Sequence, residues 1–155
     1  TSHPPAELVV MVQREVGREM IAEPGKMGLL SVATQFYAEA KSVCSVSPRA
    51  FSPPPKVYSA VIKLTVRPEP AVQVSSRESF FTLARAGFAA PRKTIVNSLA
   101  LGIRPDIYDW QQILSDAEID AGDRPAMLSL DDWGRLYAEW RSADPIQDPV
   151  KTPVA

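Results

Sequence analysis

The chain has 155 residues with a formal net charge of −1; 45% of its residues are hydrophobic and 23% are charged. These values are normal for a folded chain of one ordinary domain or two small ones, and no apolar run approaches the roughly 20 residues needed to cross a bilayer. The one cysteine, Cys44, excludes an internal disulfide and suits a reducing cytosol, and its apolar surroundings predict a small buried side chain rather than a nucleophile.

The side chains that common catalytic and metal sites require are scarce. The chain contains one histidine, His3, and no cluster of His, Cys and carboxylates at metal-ligand spacing. The sequence therefore predicts no metal site. It also argues against a Ser-His-Asp or Cys-His mechanism within the chain.

The first 66 residues alternate between strand and helix patterns. The apolar run at 8–12 is typical of a strand buried on both faces, and helical spacing of apolar residues follows it. Five elements are predicted in this order: a strand at 8–12, helices at 13–22 and 29–38, and two paired strands at 42–46 and 57–66. In the last strand, Ala60 and Ile62 should point to one face, and Val61 and Lys63 to the other.

A proline-rich loop separates the last two strands. Phe51 is followed by Ser52 and by three consecutive prolines at 53–55. The prolines fix φ and remove backbone donors, and each pushes the preceding residue out of the helical region. Phe51 is therefore expected to project from a rigid, extended loop next to a strand end, where functional sites are common.

The pattern becomes helical after the Arg-Pro-Glu-Pro segment at 67–70, which ends the strand and marks a candidate domain boundary. Four helix starts are predicted, three from Ser-x-x-Glu or Ser-x-x-Asp capping pairs and one from a proline in a first turn. They lie at Ser75, Pro91, Ser115 and Ser129. The helix that starts at Pro91 should end at Gly102. The last helix has an apolar face of core residues, namely Trp133, Leu136, Tyr137 and Trp140.

Four stretches, in the same order along the chain, carry a family resemblance. The segment from Phe51 to Ser59 fits the pattern F-x-P-x-P-x-V-x-S. The other three are M-V-Q-R-E-V at 11–16, the R-A-x-F…R-K-T…N-x-L segment at 85–99, and R-P-x-x-L-S at 124–129. Together, over roughly residues 7–141, they resemble the ribosomal RNA adenine N6-dimethyltransferases. The nearest group dimethylates two adjacent adenosines near the 3′ end of 16S rRNA.

The resemblance implies an α/β fold class. It consists of the C-terminal strands and helices of a class I, S-adenosylmethionine-dependent (Rossmann-like) methyltransferase domain, followed by a small all-helical domain. The implied ranges are 1–67 for the methyltransferase part and 68–143 for the helical domain, with a disordered tail at 144–155.

The cofactor implied by the resemblance is S-adenosylmethionine. The family reads it through a Gly-rich turn and places its catalysis on an Asn-Leu-Pro-Tyr type tetrapeptide. Neither occurs here, and the seven glycines are scattered singly without a G-x-G. The chain is therefore expected to be the C-terminal part of a longer enzyme, with no cofactor-binding residue of its own and no activity alone.

The resemblance also assigns site residues. Phe51 becomes the platform on which the target adenine stacks, although an aromatic side chain that fills the core is the plainer alternative. Arg49 and Lys56 flank Phe51 and are candidates for phosphate contacts, as are Arg92 and Lys93 at the expected helix start after Pro91. The family has a further basic residue where this chain has Pro91, and each of these cations could also be a plain solvated charge.

The charge distribution agrees with an RNA partner. Residues 1–67 hold eight Lys and Arg against five Asp and Glu, residues 77–104 hold five against one, and residues 106–148 hold three against eleven. An RNA-binding face should come from the first two segments.

The resemblance implies the 16S rRNA 3′-terminal hairpin in the small ribosomal subunit as partner, a cytoplasmic location, a monomer and no membrane. Three alternatives stay open. They are a 23S rRNA adenine methyltransferase of the macrolide-resistance type, a non-catalytic RNA- or ribosome-binding module, and a helical protein-interaction domain.

Overall fold

A computed structural model describes residues 5–103 and 106–143; the predicted disordered tail at 144–155 and His3 lie outside these ranges. Within them, the chain forms three strands and six α-helices. The strands are β1 (Glu7–Gln13), β2 (Ala38–Val46) and β3 (Ser59–Val66). The helices are α1 (Arg14–Met20), α2 (Leu29–Tyr37), α3 (Arg77–Gly87), α4 (Ile95–Gly102), α5 (Trp110–Asp116) and α6 (Leu130–Ser142). Short 3₁₀ turns lie at Pro48–Ala50 and Pro125–Met127.

The strands form one sheet with β3 in the centre. The order is β1-β3-β2 and both pairings are antiparallel, which confirms the predicted pairing of the last two strands. The predicted alternation along β3 is also confirmed, because Ala60 and Ile62 are buried against α1 and α2 whereas Val61 and Lys63 are only half-buried on the opposite face.

The prediction that the first strand is buried on both faces is wrong. Val10 and Val12 pack against the small core around Ile62. Val9 and Met11, on the opposite face, are 66% and 55% exposed. The prediction that Cys44 is buried is wrong for the same reason: Cys44 lies opposite Val61 in the sheet and is exposed on that face. No element in the described ranges covers this side of the sheet.

Helix α2 connects the sheet to the helices that follow. Its residue Phe36 is fully buried in the large core formed with α3–α6, and its ring stacks on Phe80 of α3 with centroids 4.9 Å apart. The side-chain amide of Gln35, on the same helix, donates to the carbonyl oxygens of Met20 and Ala22 at the end of α1. The division of the chain at residues 67 and 68 stays a prediction.

The helix starts were predicted with mixed success. The capping box at Ser129 is confirmed: its Oγ accepts from the N–H of Asp132 at 3.1 Å, and the Asp132 carboxylate accepts from the N–H of Ser129 at 2.7 Å. The predicted apolar face of this helix is buried. The predicted end of α4 at Gly102 is confirmed as well.

Two predicted caps are wrong. Ser76, not Ser75, caps α3 and accepts from the N–H of Ser79. Helix α5 begins before Ser115, because Asp109 is its cap. Glu118, the other half of the predicted pair, has a φ of 58° and lies beyond the helix. None of the described helices has the length and apolar character of a membrane span.

Candidate nucleic-acid interface

Three connections meet at one end of the sheet. Gln13 at the end of β1 and Val46 at the end of β2 both lie opposite Ser59, the first residue of β3. The turn from β1 into α1 and both ends of the loop at 47–58 therefore lie next to each other. The fold places the proline-rich loop at the strand ends, as the sequence predicts.

The first limb of this loop is held by its own hydrogen bonds. Ser47 caps the turn Pro48–Ala50 by accepting from the N–H of Arg49 at 3.3 Å. The N–H of Phe51 then donates to the carbonyl oxygen of Pro48 at 3.2 Å. The backbone of Phe51 is thus fixed at the end of a short helical turn.

The ring of Phe51 does not belong to the core. The side chain is half-buried and is a member of neither hydrophobic core cluster. In the described part of the chain it also makes no contact with another aromatic ring. This position disfavours the alternative in which Phe51 fills the core, because such a residue would be enclosed on all sides.

Arg49 and Lys56 lie in the same loop on either side of Phe51. Both are exposed, and neither forms an ion pair with any residue in the ranges 5–103 and 106–143. Their positive charges are therefore not neutralised by a neighbouring carboxylate. By contrast, Lys63 and Lys41, toward the other end of the sheet, pair with Glu7 at 2.7 Å and with Glu39 at 2.9 Å.

The return limb contacts the start of α1. The backbone N–H of Arg14 donates to the carbonyl oxygen of Tyr58 at 3.0 Å. The guanidinium carbon of Arg14 also lies over the Tyr58 ring, 4.9 Å from its centroid. The sequence alone did not predict the contact between Arg14 and Tyr58. The register of β1 against β3 was the missing signal.

Arg92 and Lys93 do not open a helix, so that part of their prediction is wrong. Helix α4 begins at Ile95 with Thr94 as its cap. Lys93 instead closes a turn, with its N–H donating to the carbonyl oxygen of Ala90 at 2.9 Å. The N–H of Ile95 is occupied by the carbonyl oxygen of Asp123 at 2.6 Å. Arg92 and Lys93 are exposed charges on a turn, without the free helix N-terminus that was expected to assist them.

A carboxyl group with a lowered pKa, that of Glu39, lies on the sheet away from the loop. The pKa of the exposed Glu39 carboxyl is lowered, first by its hydrogen bond with Lys41 and by the Lys41 charge, and to a smaller extent by Arg67. Glu39 pairs with Thr65. This pair lies near the end of β3 that is farther from Ser59 and the loop. Across the described residues, no group of three or more His, Cys, Asp or Glu could hold a metal ion. The candidate interface at the loop comprises one aromatic side chain, Phe51, and the cations Arg49 and Lys56.

Comparison with protein families gives one match that covers most of the chain. A model of the family described as "Ribosomal RNA adenine dimethylase" matches residues 1–136. The similar curated proteins include one from Dehalococcoides mccartyi (strain CBDB1), 40% identical over 136 residues, and one from Bacillus pumilus (strain SAFR-032), 44% identical over 135 residues. Both are named "Ribosomal RNA small subunit methyltransferase A". The match to the first relative covers 88% of this chain and 47% of that protein, and the match to the second covers 83% of this chain and 46% of that protein. The chain thus spans about half the length of these relatives.

Two solved structures are similar in fold. A 23S rRNA methyltransferase, ErmE, superposes with a TM-score of 0.62 at 25% identity, over 86% of this chain and 54% of its own. A dimethyladenosine transferase from Plasmodium falciparum superposes with a TM-score of 0.71 at 23% identity, over 92% of this chain and 60% of its own. These likenesses confirm the predicted α/β fold class.

Proposed function

The chain belongs to the ribosomal RNA adenine dimethylase family, and from this membership we propose that it is the C-terminal part of an S-adenosylmethionine-dependent rRNA adenine N6,N6-dimethyltransferase. The proposed reaction transfers methyl groups to two adjacent adenosines near the 3′ end of 16S rRNA during assembly of the small subunit. The relatives named as small subunit methyltransferases, at 40% and 44% identity, support this target.

The position of Phe51 is the observation that carries the proposal. The exocyclic nitrogen of adenine is a poor nucleophile because its lone pair is delocalised into the ring, so the base must be taken from its stack and held in line with the methyl group. Flipping costs on the order of a few kcal/mol, and stacking on an aromatic side chain returns about 1–3 kcal/mol. A half-buried ring on an anchored loop at the strand ends suits this task.

The cations of the loop suit an RNA backbone. Arg49 and Lys56 are exposed and unpaired in the described ranges, so each can contact a phosphate beside the flipped base. Arg92 and Lys93 would add phosphate contacts from the helical part, where they stand on an exposed turn. Phosphate contacts give affinity and register without reading sequence. From the family membership, the proposed partner of these cations is the 3′-terminal hairpin of 16S rRNA in the small subunit, bound by a cytoplasmic monomer.

The cofactor is proposed to be held mainly outside this chain. The residues present include no glycine-rich turn for the cofactor and no Asn-Leu-Pro-Tyr type segment. The part of the enzyme that precedes residue 1 would supply both. In this arrangement, residues 1–67 complete the methyltransferase domain and residues 68–143 form the helical domain.

Two alternatives have specific support. The likeness to ErmE at 25% identity favours a 23S rRNA target, although the relatives at 40% identity and above point to the small subunit. The lack of cofactor motifs in this chain would also suit a non-catalytic RNA-binding module. A full-length sequence with intact glycine-rich and Asn-Leu-Pro-Tyr motifs would exclude a purely structural role.

The test is methyl transfer from labelled S-adenosylmethionine by the full-length protein. The acceptors are small subunits that lack the two dimethyladenosines and, in parallel, 23S rRNA. We expect label on the small subunit, reduced about 5- to 160-fold by Phe51→Ala because one stacking contact is lost. Phe51→Tyr, which keeps the ring, is the matched control.

The outcomes separate the candidates. Label on 23S rRNA would assign the chain to the resistance type, and no label on either acceptor would favour the binding module. Full activity of Phe51→Ala would contradict the stacking role while leaving the rRNA target in place.

A further inference from the structure

The proline loop is anchored differently at its two ends. The first limb, up to Phe51, has the capped turn Pro48–Ala50 and two internal backbone hydrogen bonds. In the return limb, residues 52–57 are exposed, and no backbone hydrogen bond holds them in the described part of the chain. Three of these residues are prolines, which have no N–H to donate. The return limb is therefore held at its end, through Tyr58 and the paired Ser59 of β3.

Tyr58 is attached to the start of α1 in two ways. Its carbonyl oxygen accepts from the backbone N–H of Arg14 at 3.0 Å. Its ring lies under the Arg14 guanidinium at 4.9 Å, within the range of a cation–π contact. Both contacts follow from the register. Gln13 of β1 pairs with Ser59 of β3, so Arg14 and Tyr58, the residues just beyond this pair, lie next to each other.

The Arg14 side chain contacts Glu15 as well as the Tyr58 ring. The ion pair with Glu15 is long, with Nε and Oε1 3.5 Å apart, and the Glu15 side chain is largely exposed. The Nε atom itself is buried and has no hydrogen-bond acceptor among the described residues. The guanidinium also donates from Nη2 to Glu15 Oε1 at 3.5 Å. It therefore has two partners, the exposed Glu15 carboxylate and the Tyr58 ring, and an exposed ion pair of this kind contributes little to fixing its direction.

We infer that Arg14 and Tyr58 form a clamp that holds the return limb and so positions Phe51 for the target base; they are positioning residues that do not touch the reacting atoms. A stiff proline segment whose return end is held against α1 has one placement. Without the ring contact, the segment between Phe51 and Ser59 has more freedom to move, and the Phe51 side chain at its start moves with it. The inference rests on the proposed stacking role of Phe51. The clamp itself is a property of the loop and can be measured without RNA.

The first measurement is limited trypsin digestion of the full-length protein, following cleavage of the Lys56–Val57 bond. Arg14→Met and Tyr58→Leu should each raise its rate about two- to five-fold, the factor expected for one exposed cation–π contact. The double variant should show the same increase as either single variant, because the contact can be lost only once. Tyr58→Phe, which keeps the ring, should restore the original rate. Arg18→Met removes the same charge from the same helix and is the matched control.

The second measurement connects the clamp to catalysis. Arg14→Met and Tyr58→Leu should each lower kcat for methyl transfer about two- to five-fold, with unchanged affinity for S-adenosylmethionine and a Tm lowered by no more than about 3 °C. Tyr58→Phe and Arg18→Met should leave kcat unchanged. In a Phe51→Ala background, Arg14→Met and Tyr58→Leu should have no further effect, since no platform is left to position. A purely structural role would lower Tm further and raise cleavage at many sites.

The inference is overturned if the two single changes multiply in the double variant, if neither alters cleavage at Lys56–Val57, or if Arg18→Met has the same effect. If the unaltered protein transfers no methyl group, the proposed function fails, but the cleavage rates still decide whether the clamp exists.

Discussion

Arg49 and Lys56 share a loop with Phe51, and their environment differs from that of other cations on the sheet. Lys41 and Lys63 each have a carboxylate partner within 3 Å, whereas Arg49 and Lys56 have none in the described ranges. A cation that binds phosphate releases condensed counterions from the RNA, so its contribution depends on salt. A surface cation that is already paired with a carboxylate therefore contributes less to the affinity for RNA.

At this scale, the prediction concerns Lys56→Gln in the full-length protein. RNA binding by this variant should be weaker, and the slope of log K against log salt should fall by about 0.7–0.9, the loss of one phosphate contact. Lys41→Gln, on the same sheet but paired with Glu39, should leave the slope unchanged. Filter binding of small-subunit RNA between about 50 and 200 mM salt measures both slopes. Equal losses for the two variants would contradict a specific role for Lys56.

The clamp residues show what local sequence cannot provide. Phe51, Arg49 and Lys56 could be proposed from a motif, because the motif is contiguous. Arg14 and Tyr58 are far apart in the chain and meet only through the β1–β3 pairing. Without the register, Arg14 reads as one more charge after a strand, and Tyr58 as one more residue of the loop.

Among the elements, the helix starts show the same limit. Ser-x-x-Glu or Ser-x-x-Asp occurs at Ser75, Ser115 and Ser129, yet only Ser129 caps a helix. The Ser75 hydroxyl is instead hydrogen-bonded to the Tyr137 hydroxyl at 2.8 Å, across 62 residues of sequence. Ser115 lies near the end of a helix that Asp109 has already capped. A capping pair is a local signal, and a distant partner or an earlier cap can override it.

This contrast gives a matched pair of substitutions. Ser129→Ala removes the oxygen that accepts from Asp132 and should lower the free energy of unfolding by about 1 kcal/mol. Ser115→Ala makes the same chemical change near the end of α5 and should alter it by less than about 0.5 kcal/mol. Urea unfolding at a constant m-value measures both. Equal costs for the two changes would mean that Ser129 does not act through the cap.

In the molecule as a whole, the sheet and the helices that follow it are joined through α2 as well as through the linker after β3. Phe36 of α2 stacks on Phe80 of α3, and the segment after β3 runs back along α2, with the N–H of Arg67 and Ala71 donating to the carbonyl oxygens of Tyr37 and Phe36. The sheet and the helices after residue 76 therefore share buried contacts through α2, at the end of the sheet away from Phe51. The sequence signals at 67–70 mark the change of secondary structure, but they cannot report this continuity of packing.

The burial of β1 depends on the whole molecule, and it was predicted wrongly from the sequence. A run of apolar residues indicates that both faces of a strand need cover, but it does not say which part of the protein covers them. In the described residues, α1 and α2 cover one face, and the other presents Val9, Met11 and Val43 to solvent. Contiguous exposed apolar surface of this kind marks an interaction surface, and the chain spans only about half of its relatives.

A substitution on this face should have different consequences in the isolated 155-residue chain and in the full-length protein. In the isolated 155-residue chain, Met11→Gln should reduce concentration-dependent self-association, since it removes part of the exposed apolar face. In the full-length protein, the same change should lower the free energy of unfolding by about 1–3 kcal/mol, because a buried site would receive an amide without a hydrogen-bond partner. Glu15→Gln, an exposed change on α1, should do neither. Sedimentation of the isolated chain and urea unfolding of the full-length protein measure the two effects. If Met11→Gln leaves the full-length protein as stable as before, this face of the sheet is open in the complete molecule too, and its apolar character must serve a partner instead.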